Sequence, residues 1–350
     1  MKEFQPNYKY LLQAAKNIEP GRIPLYEHII SEKIMEKVLN KKFASLYNGN
    51  LNDKREFFKN YNEFYKIMGY DTVSFERCIG SVMPGSGALG GHKEGVIRNR
   101  KDFADYPWET IPNNFFEEYA DDFRLLGEEL PEGMKAVGGP GNGIFESVQD
   151  VVGYVQLCYI SKDDPELYDA LFKKVGDIIV EIWSRFLKMF ANQYTVCRFG
   201  DDLGYKTSTL LSVTDIKKKI IPQYKRIIKI IHSFNKPFLF HCCGNIFSVM
   251  EELINEAHID AKHSNEDQIA PFLDWVKLYG DRIGNFGGVD MGLLCEYDEK
   301  QIKEYVKEIA KCAKGNKGIA LGSGNSIPDY IPVANYLVMV NTIRHERGDF

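Results

Sequence analysis

Short runs of apolar and β-branched residues recur along the chain, each closing on Gly, Asp, His or Asn. They are Arg22–His28, Thr72–Glu76, Lys135–Gly141, Thr195–Asp202, Pro237–Asn245, Ile259–Glu266, Arg282–Asp290 and Gly318–Ser326. Between them lie stretches with helical spacing. Pro165–Tyr194 places Leu167, Leu171, Val175, Ile178, Ile179, Ile182, Phe186 and Phe190 on one stripe. Asp215–Phe234 carries a similar stripe with a basic outer face, and Glu299–Ala313 opens acidic and ends near Lys314 and Gly315, as a helix dipole and a C-cap favour. Strands alternating with helices predict βαβ units around a parallel sheet. Eight such units predict an α/β fold, a single (β/α)8 TIM barrel over 1–350 with an insertion around 77–134.

A barrel carries its chemistry at the C-terminal ends of its strands. Those ends are polar here: Glu27, His28, Glu76, Gly139, Asp201, Asp202, His241, Cys243, His263, Glu266, Asp290 and Asn325. The sharpest motif is His241-Cys242-Cys243-Gly244-Asn245, after the apolar Pro237–Phe240. In a strand, residues i and i+2 share a face, so His241 and Cys243 point together and Cys242 points away. An imidazole and a thiolate on one side make half of a zinc site, and Glu266 on the next strand is the candidate third ligand. Set against this, cysteine is often a small buried hydrophobe, and a strand-end histidine is often only hydrogen-bonded. Asp201 and Asp202 end the fourth strand; one is placed to face the pocket as an acid or base and the other to cap a turn. Asp290 after Gly287-Gly288-Val289 is a candidate for orienting a substrate, and Glu76 for catalysis. Tyr26, His28, Asp201 and Asn325 are candidates for binding substrate, although Asn325 sits in a turn-like Gly322–Ser326 run. The glycine tracts at 84–87 and 138–143 match no phosphate-binding fingerprint.

Composition narrows the class. The net charge of -5, from 44 basic and 49 acidic side chains, disfavours a nucleic-acid surface. Seven cysteines, an odd number with only Cys242 and Cys243 adjacent, form no disulfide framework and point to a reducing, cytoplasmic setting. The charged N-terminal segment has no signal-peptide core, and no run of about 18 uncharged apolar residues predicts a membrane span.

The stretches PFLFHCCGNIFSVMEELINEAHIDAKHSNE, GDRIGNFGGVD and ALGSGNSIPDYIPVANYLVMV resemble the C-terminal half of the uroporphyrinogen decarboxylase superfamily. GDDLGYKTSTLLS is similar to that family's fourth strand and loop, and GRIPLYEH and GYDTVSFE carry a weaker N-terminal likeness. True decarboxylases of the family bind an octacarboxylate porphyrinogen without metal and carry R-x-x-G-R-x-x-P near the N-terminus; this chain has only Gly21-Arg22-Ile23-Pro24 there. The resemblance is closer to the corrinoid-dependent methyltransferase branch, which uses a His-x-Cys pair as zinc ligands; His241 and Cys243 match those positions. Members that activate a thiol carry a further cysteine where this chain has Asn325. The resemblance therefore implies zinc, a small methylated substrate such as an O-methyl or N-methyl compound, and methyl transfer to a corrinoid (cobalamin) protein. Asp202 or Asp290 would handle protons or orientation. The chain has no D-x-H-x-x-G corrinoid signature, so the corrinoid is expected on a partner. A homodimer is expected by analogy. The alternative is a decarboxylase-like activity on a porphyrinogen or smaller acid.

Overall fold

The structure, a computed structural model, describes residues 4–91 and 93–350. Seven parallel strands follow one another in sequence order around a curled sheet: β1 (Thr72–Cys78), β2 (Lys135–Gly141), β3 (Tyr194–Gly200), β4 (Phe238–His241), β5 (Ala261–His263), β6 (Gly284–Val289) and β7 (Ile319–Ser323). Each lies within or against a run expected from the apolar pattern. Lys135–Gly141 matches its expected bounds, whereas β4 and β5 stop at His241 and His263, short of the runs that contain them.

The expected eighth strand, Arg22–His28, does not form, and the barrel is TIM-like rather than a closed eight-stranded (β/α)8 ring. This segment contributes a single bridge, Leu25 to Leu321 of β7. The Tyr26 N–H donates to the Leu321 carbonyl (2.9 Å), and the Leu321 N–H donates to the Pro24 carbonyl (3.0 Å). The ladder stops there for two reasons. Pro24 has no N–H to give, and the next β7 amide, Ser323 N–H, is taken by the Glu27 side chain at 3.0 Å instead of by backbone. The approach is so close that a Cβ on Gly322 would overlap the Tyr26 carbonyl oxygen. Only glycine lets the two backbones meet at that distance.

Helices cover the outside. The helix Pro165–Phe190 starts with proline in its first turn and an Asp164 side-chain cap on the Leu167 N–H. All eight residues of its expected stripe are buried. The helix Glu299–Ala313 has the bounds its sequence predicts and a reciprocal Asp298/Gln301 capping box. Residues 79–134 supply the helix Ile111–Glu128, whose Phe123 packs edge-on to Phe75 of β1 and Phe186. Among the described residues, no helix is long and apolar enough to cross a membrane.

The period-two alternation of strands divides the interior into two layers. Toward the strand starts, Val137, Val196, Leu239, Ala261, Phe286 and Ala320 pack with Tyr26 and with Leu11, Ala14 and Ala15 of the helix Lys9–Ala15. Two residues further along β3, β4 and β5, the same inward face carries Arg198, His241 and His263, all buried. An apolar floor thus supports a polar layer at the C-terminal end, where the site lies.

Candidate functional site

Strand register brings the polar layer together. His241 stands opposite Gly200 of β3 and opposite His263 of β5. Cys243, two residues beyond His241, shares its face: its Sγ lies 3.6 Å from His241 Nε2. Cys242 points outward into the core and accepts the Leu203 N–H at 3.3 Å. Gly244, at φ 81, turns the chain at once; a Cβ there would overlap Gly204. The sulfur of Cys243 receives two more polar groups, Asn325 Nδ2 at 3.3 Å and Ser264 Oγ at 3.7 Å.

The histidines are linked. His241 Nδ1 lies 2.8 Å from His263 Nδ1, and His263 Nε2 lies 3.0 Å from the Ser323 carbonyl oxygen. His28 stacks on His241 with ring centroids 3.8 Å apart and planes 9° from parallel. Burial, with Arg198 nearby, holds all three imidazoles neutral: His28 and His241 titrate well below the usual range and His263 falls to about 3. His28 Nε2 is 3.8 Å from Glu76, and its Nδ1 is buried without a hydrogen-bond partner. Glu76 in turn holds Arg198 through Nε (3.0 Å) and a terminal nitrogen (2.7 Å). The other terminal nitrogen of Arg198 reaches Tyr26 Oη (2.9 Å) and Ser74 Oγ (2.6 Å).

The two adjacent acids part company. Asp202 Oδ1 accepts the Cys243 N–H at 2.8 Å. Asp201 is fully enclosed and accepts the Phe145 and Glu146 N–H groups (3.0 and 2.8 Å) at the start of the helix Ile144–Val152, together with the Tyr224 hydroxyl. Burial raises its carboxyl to about 6. Glu146 is packed against both acids, and burial raises its pKa too. Asp290 caps the helix Met291–Glu296 through Leu293 N–H (3.1 Å) and accepts Asp267 N–H (2.8 Å).

Two groups of possible ligand atoms lie within 4.8 Å of one another among the described residues: Asp202, His241 and Cys243; and His28, His241 and His263. Glu266 belongs to neither. It lines a cavity of about 320 Å³ at the mouth with Asn265, Gln268, Asp290, Asn325 and Tyr330, where Lys206 is the one cation in the wall among the described residues. The structure therefore gathers His241, Cys243 and Asp202, with Asn325 between sulfur and cavity. Tyr26 and Asp201, expected to bind substrate, are enclosed. Asn325 reaches the cavity; His28 stacks on His241, with Glu76 3.8 Å from its Nε2.

The donor set suits a metal. The thiol of Cys243 is pushed up by burial and by Asp202, so it keeps its proton unless a cation takes its place. A nitrogen, a sulfur and a carboxylate converge there, which are ordinary zinc donors. Sequence reasoning missed Arg198, Glu146, Ser264 and the role of His263. Arg198 gave a signal, a lone charge at an inward position of an otherwise apolar strand; Glu146 and Ser264 gave none.

Comparison with known proteins agrees with this architecture. The family profile described as uroporphyrinogen decarboxylase (URO-D) matches residues 90–346. A search of curated proteins by sequence returns no match. Among solved structures, a methyltransferase from Methanosarcina mazei is similar in fold, with a TM-score of 0.70 at 15% identity over 97% of this chain and 99% of that one. A protein assigned as a vitamin-B12-independent methionine synthase from Listeria monocytogenes follows, with a TM-score of 0.54 at 13% identity, over 94% and 99% of the two chains. These likenesses establish shared fold. With the family profile spanning most of its length, the chain belongs to the uroporphyrinogen decarboxylase family.

Proposed function

We propose that the chain is a methyltransferase that passes a methyl group from a small methylated substrate to a corrinoid carried on a partner protein, with zinc at the strand ends. The observation that carries this reading is the pairing of His241 Nε2 with Cys243 Sγ at 3.6 Å, beside Asp202 and next to the mouth cavity. The methyltransferase fold neighbour and the family assignment support it.

In this reading His241, Cys243 and Asp202 hold the metal. That moves Asp202 from proton handling to ligation and Glu266 from ligation to the cavity wall. Zinc supplies Lewis acidity to the heteroatom that bears the methyl group. Asn325 gives the Cys243 sulfur a hydrogen bond in place of a second thiolate, which leaves the metal more electrophilic. Glu266, Gln268 and Asn325 face the substrate, while Asp290 and Asp201 hold loop and helix backbone in place. A wall with two carboxylates and one lysine opposes a many-carboxylate ligand, so the porphyrinogen alternative is not favoured.

The test is metal content by elemental mass spectrometry, with methyl transfer from methyl ethers and methylamines to reduced cobalamin. About one zinc per wild-type chain, lost in Cys243→Ala together with transfer, is the expected result. Metal-free wild-type protein that stays metal-free after zinc incubation, with no transfer, refutes the proposal.

A further inference from the structure

We propose that His263 is a positioning residue that fixes the tautomer of His241, so that His241 presents Nε2 toward Cys243, and that Ser323 and Glu27 hold this setting from the barrel seam. The proposal rests on the zinc reading for its effect on affinity; the tautomer itself belongs to the metal-free chain.

The Ser323 carbonyl can only accept, so His263 Nε2, 3.0 Å away, carries a proton. A neutral imidazole has one N–H, so His263 Nδ1 is an acceptor. His241 Nδ1, at 2.8 Å, must then donate to it. That uses the single proton of a neutral His241 and leaves a lone pair on Nε2, the atom beside Cys243 Sγ. The opposite setting needs a proton on both His263 nitrogens, and so a second cation in a buried inward layer that already holds Arg198. His28, stacked flat on His241, restricts the plane in which the ring can lie.

The relay is anchored beyond the histidines. Ser323 N–H donates to Glu27 Oε1 at 3.0 Å, and its hydroxyl donates to Glu27 Oε2. The carbonyl that sets His263 thus belongs to a residue clamped by the Arg22–His28 segment at the barrel seam. Histidine ligands in metal sites generally owe their orientation to such a partner on the other nitrogen, and its loss costs about 10–100-fold in metal affinity.

The test uses the full chain as His263→Leu and His263→Gln, with ¹⁵N-histidine NMR of the metal-free proteins and zinc affinity by chelator competition. His241 resonances are identified by their loss in His241→Ala. Wild type is expected to show His241 unprotonated at Nε2. In His263→Leu the proton moves to Nε2 in part or in full, and zinc affinity falls about 10–100-fold. A glutamine can donate to Ser323 and accept from His241, so His263→Gln should keep the wild-type tautomer and most of the affinity. A wild-type His241 protonated at Nε2, a leucine variant with unchanged tautomer, or a glutamine variant as impaired as leucine would each overturn the proposal. If His263→Leu does not fold, the wild-type tautomer and the glutamine variant decide. If wild type binds no zinc while the tautomer responds as stated, the relay stands and the metal reading falls.

Discussion

Glu27→Gln tests the seam quantitatively. Glu27 is 1% exposed, and burial raises its carboxyl from 4.5 to about 8 against the opposing pull of two Ser323 hydrogen bonds. Between those values the folded chain keeps a proton that the unfolded chain has released. The native state then binds more protons, so stability falls as pH rises through this window. At about 1.4 kcal/mol per pK unit, the cost approaches a ceiling of about 5 kcal/mol above pH 8. Between about pH 5 and pH 7.5 it amounts to roughly 3 kcal/mol. Glutamine offers Ser323 N–H the same acceptor and carries no charge, so the cost disappears. Urea unfolding of both chains across this range should show near-equal stability at low pH, with the variant pulling ahead by about 1 kcal/mol or more per pH unit. A stability difference that stays flat from about pH 5 to pH 8 would refute the buried, protonated Glu27.

Two other substitutions follow from the same interior. Arg198→Met leaves the largely enclosed Glu76 without its cation and should cost about 3 kcal/mol in chemical denaturation, with much of the loss recovered when Glu76→Gln is added; no recovery would show that the pair is not coupled. Asn325→Cys places a second thiolate beside Cys243 and should raise zinc affinity at least about tenfold in chelator competition, while slowing transfer from methyl ethers; unchanged affinity would mean that Asn325 does not adjoin the metal.

The sequence was most readable where one element decides the outcome. Alternation within a single strand put His241 and Cys243 on one face and turned Cys242 away, and the structure has them so, with Cys242 in the core. Helix signals set the bounds of Glu299–Ala313 because its caps are local. Features that depend on neighbouring elements were less readable. The pairing of His241 with His263 depends on β4–β5 register, and Arg198 finds Glu76 across the barrel. Glu266 was expected at a strand end, but β5 stops at His263 and leaves Glu266 in a loop facing the cavity. Arg22–His28 has the composition of a strand, yet whether it pairs depends on β7, nearly three hundred residues later, where a glutamate side chain takes the place of backbone.

That separation also sets a clock for biosynthesis. Glu27 and Ser323 are 296 residues apart, so the first segment cannot find its partner until nearly all of the chain has left the ribosome. At about 5–20 residues per second the wait is roughly 15 to 60 s. Ile23, Leu25 and Ile30, all buried at the finished seam, must be shielded from wrong partners for that long. The bridge at Leu25 and the Glu27–Ser323 clamp are therefore late contacts of the nascent chain, joined by the Ile30–Ile327 bridge and the Arg347 bond to the Ile23 carbonyl, which need residues translated later still.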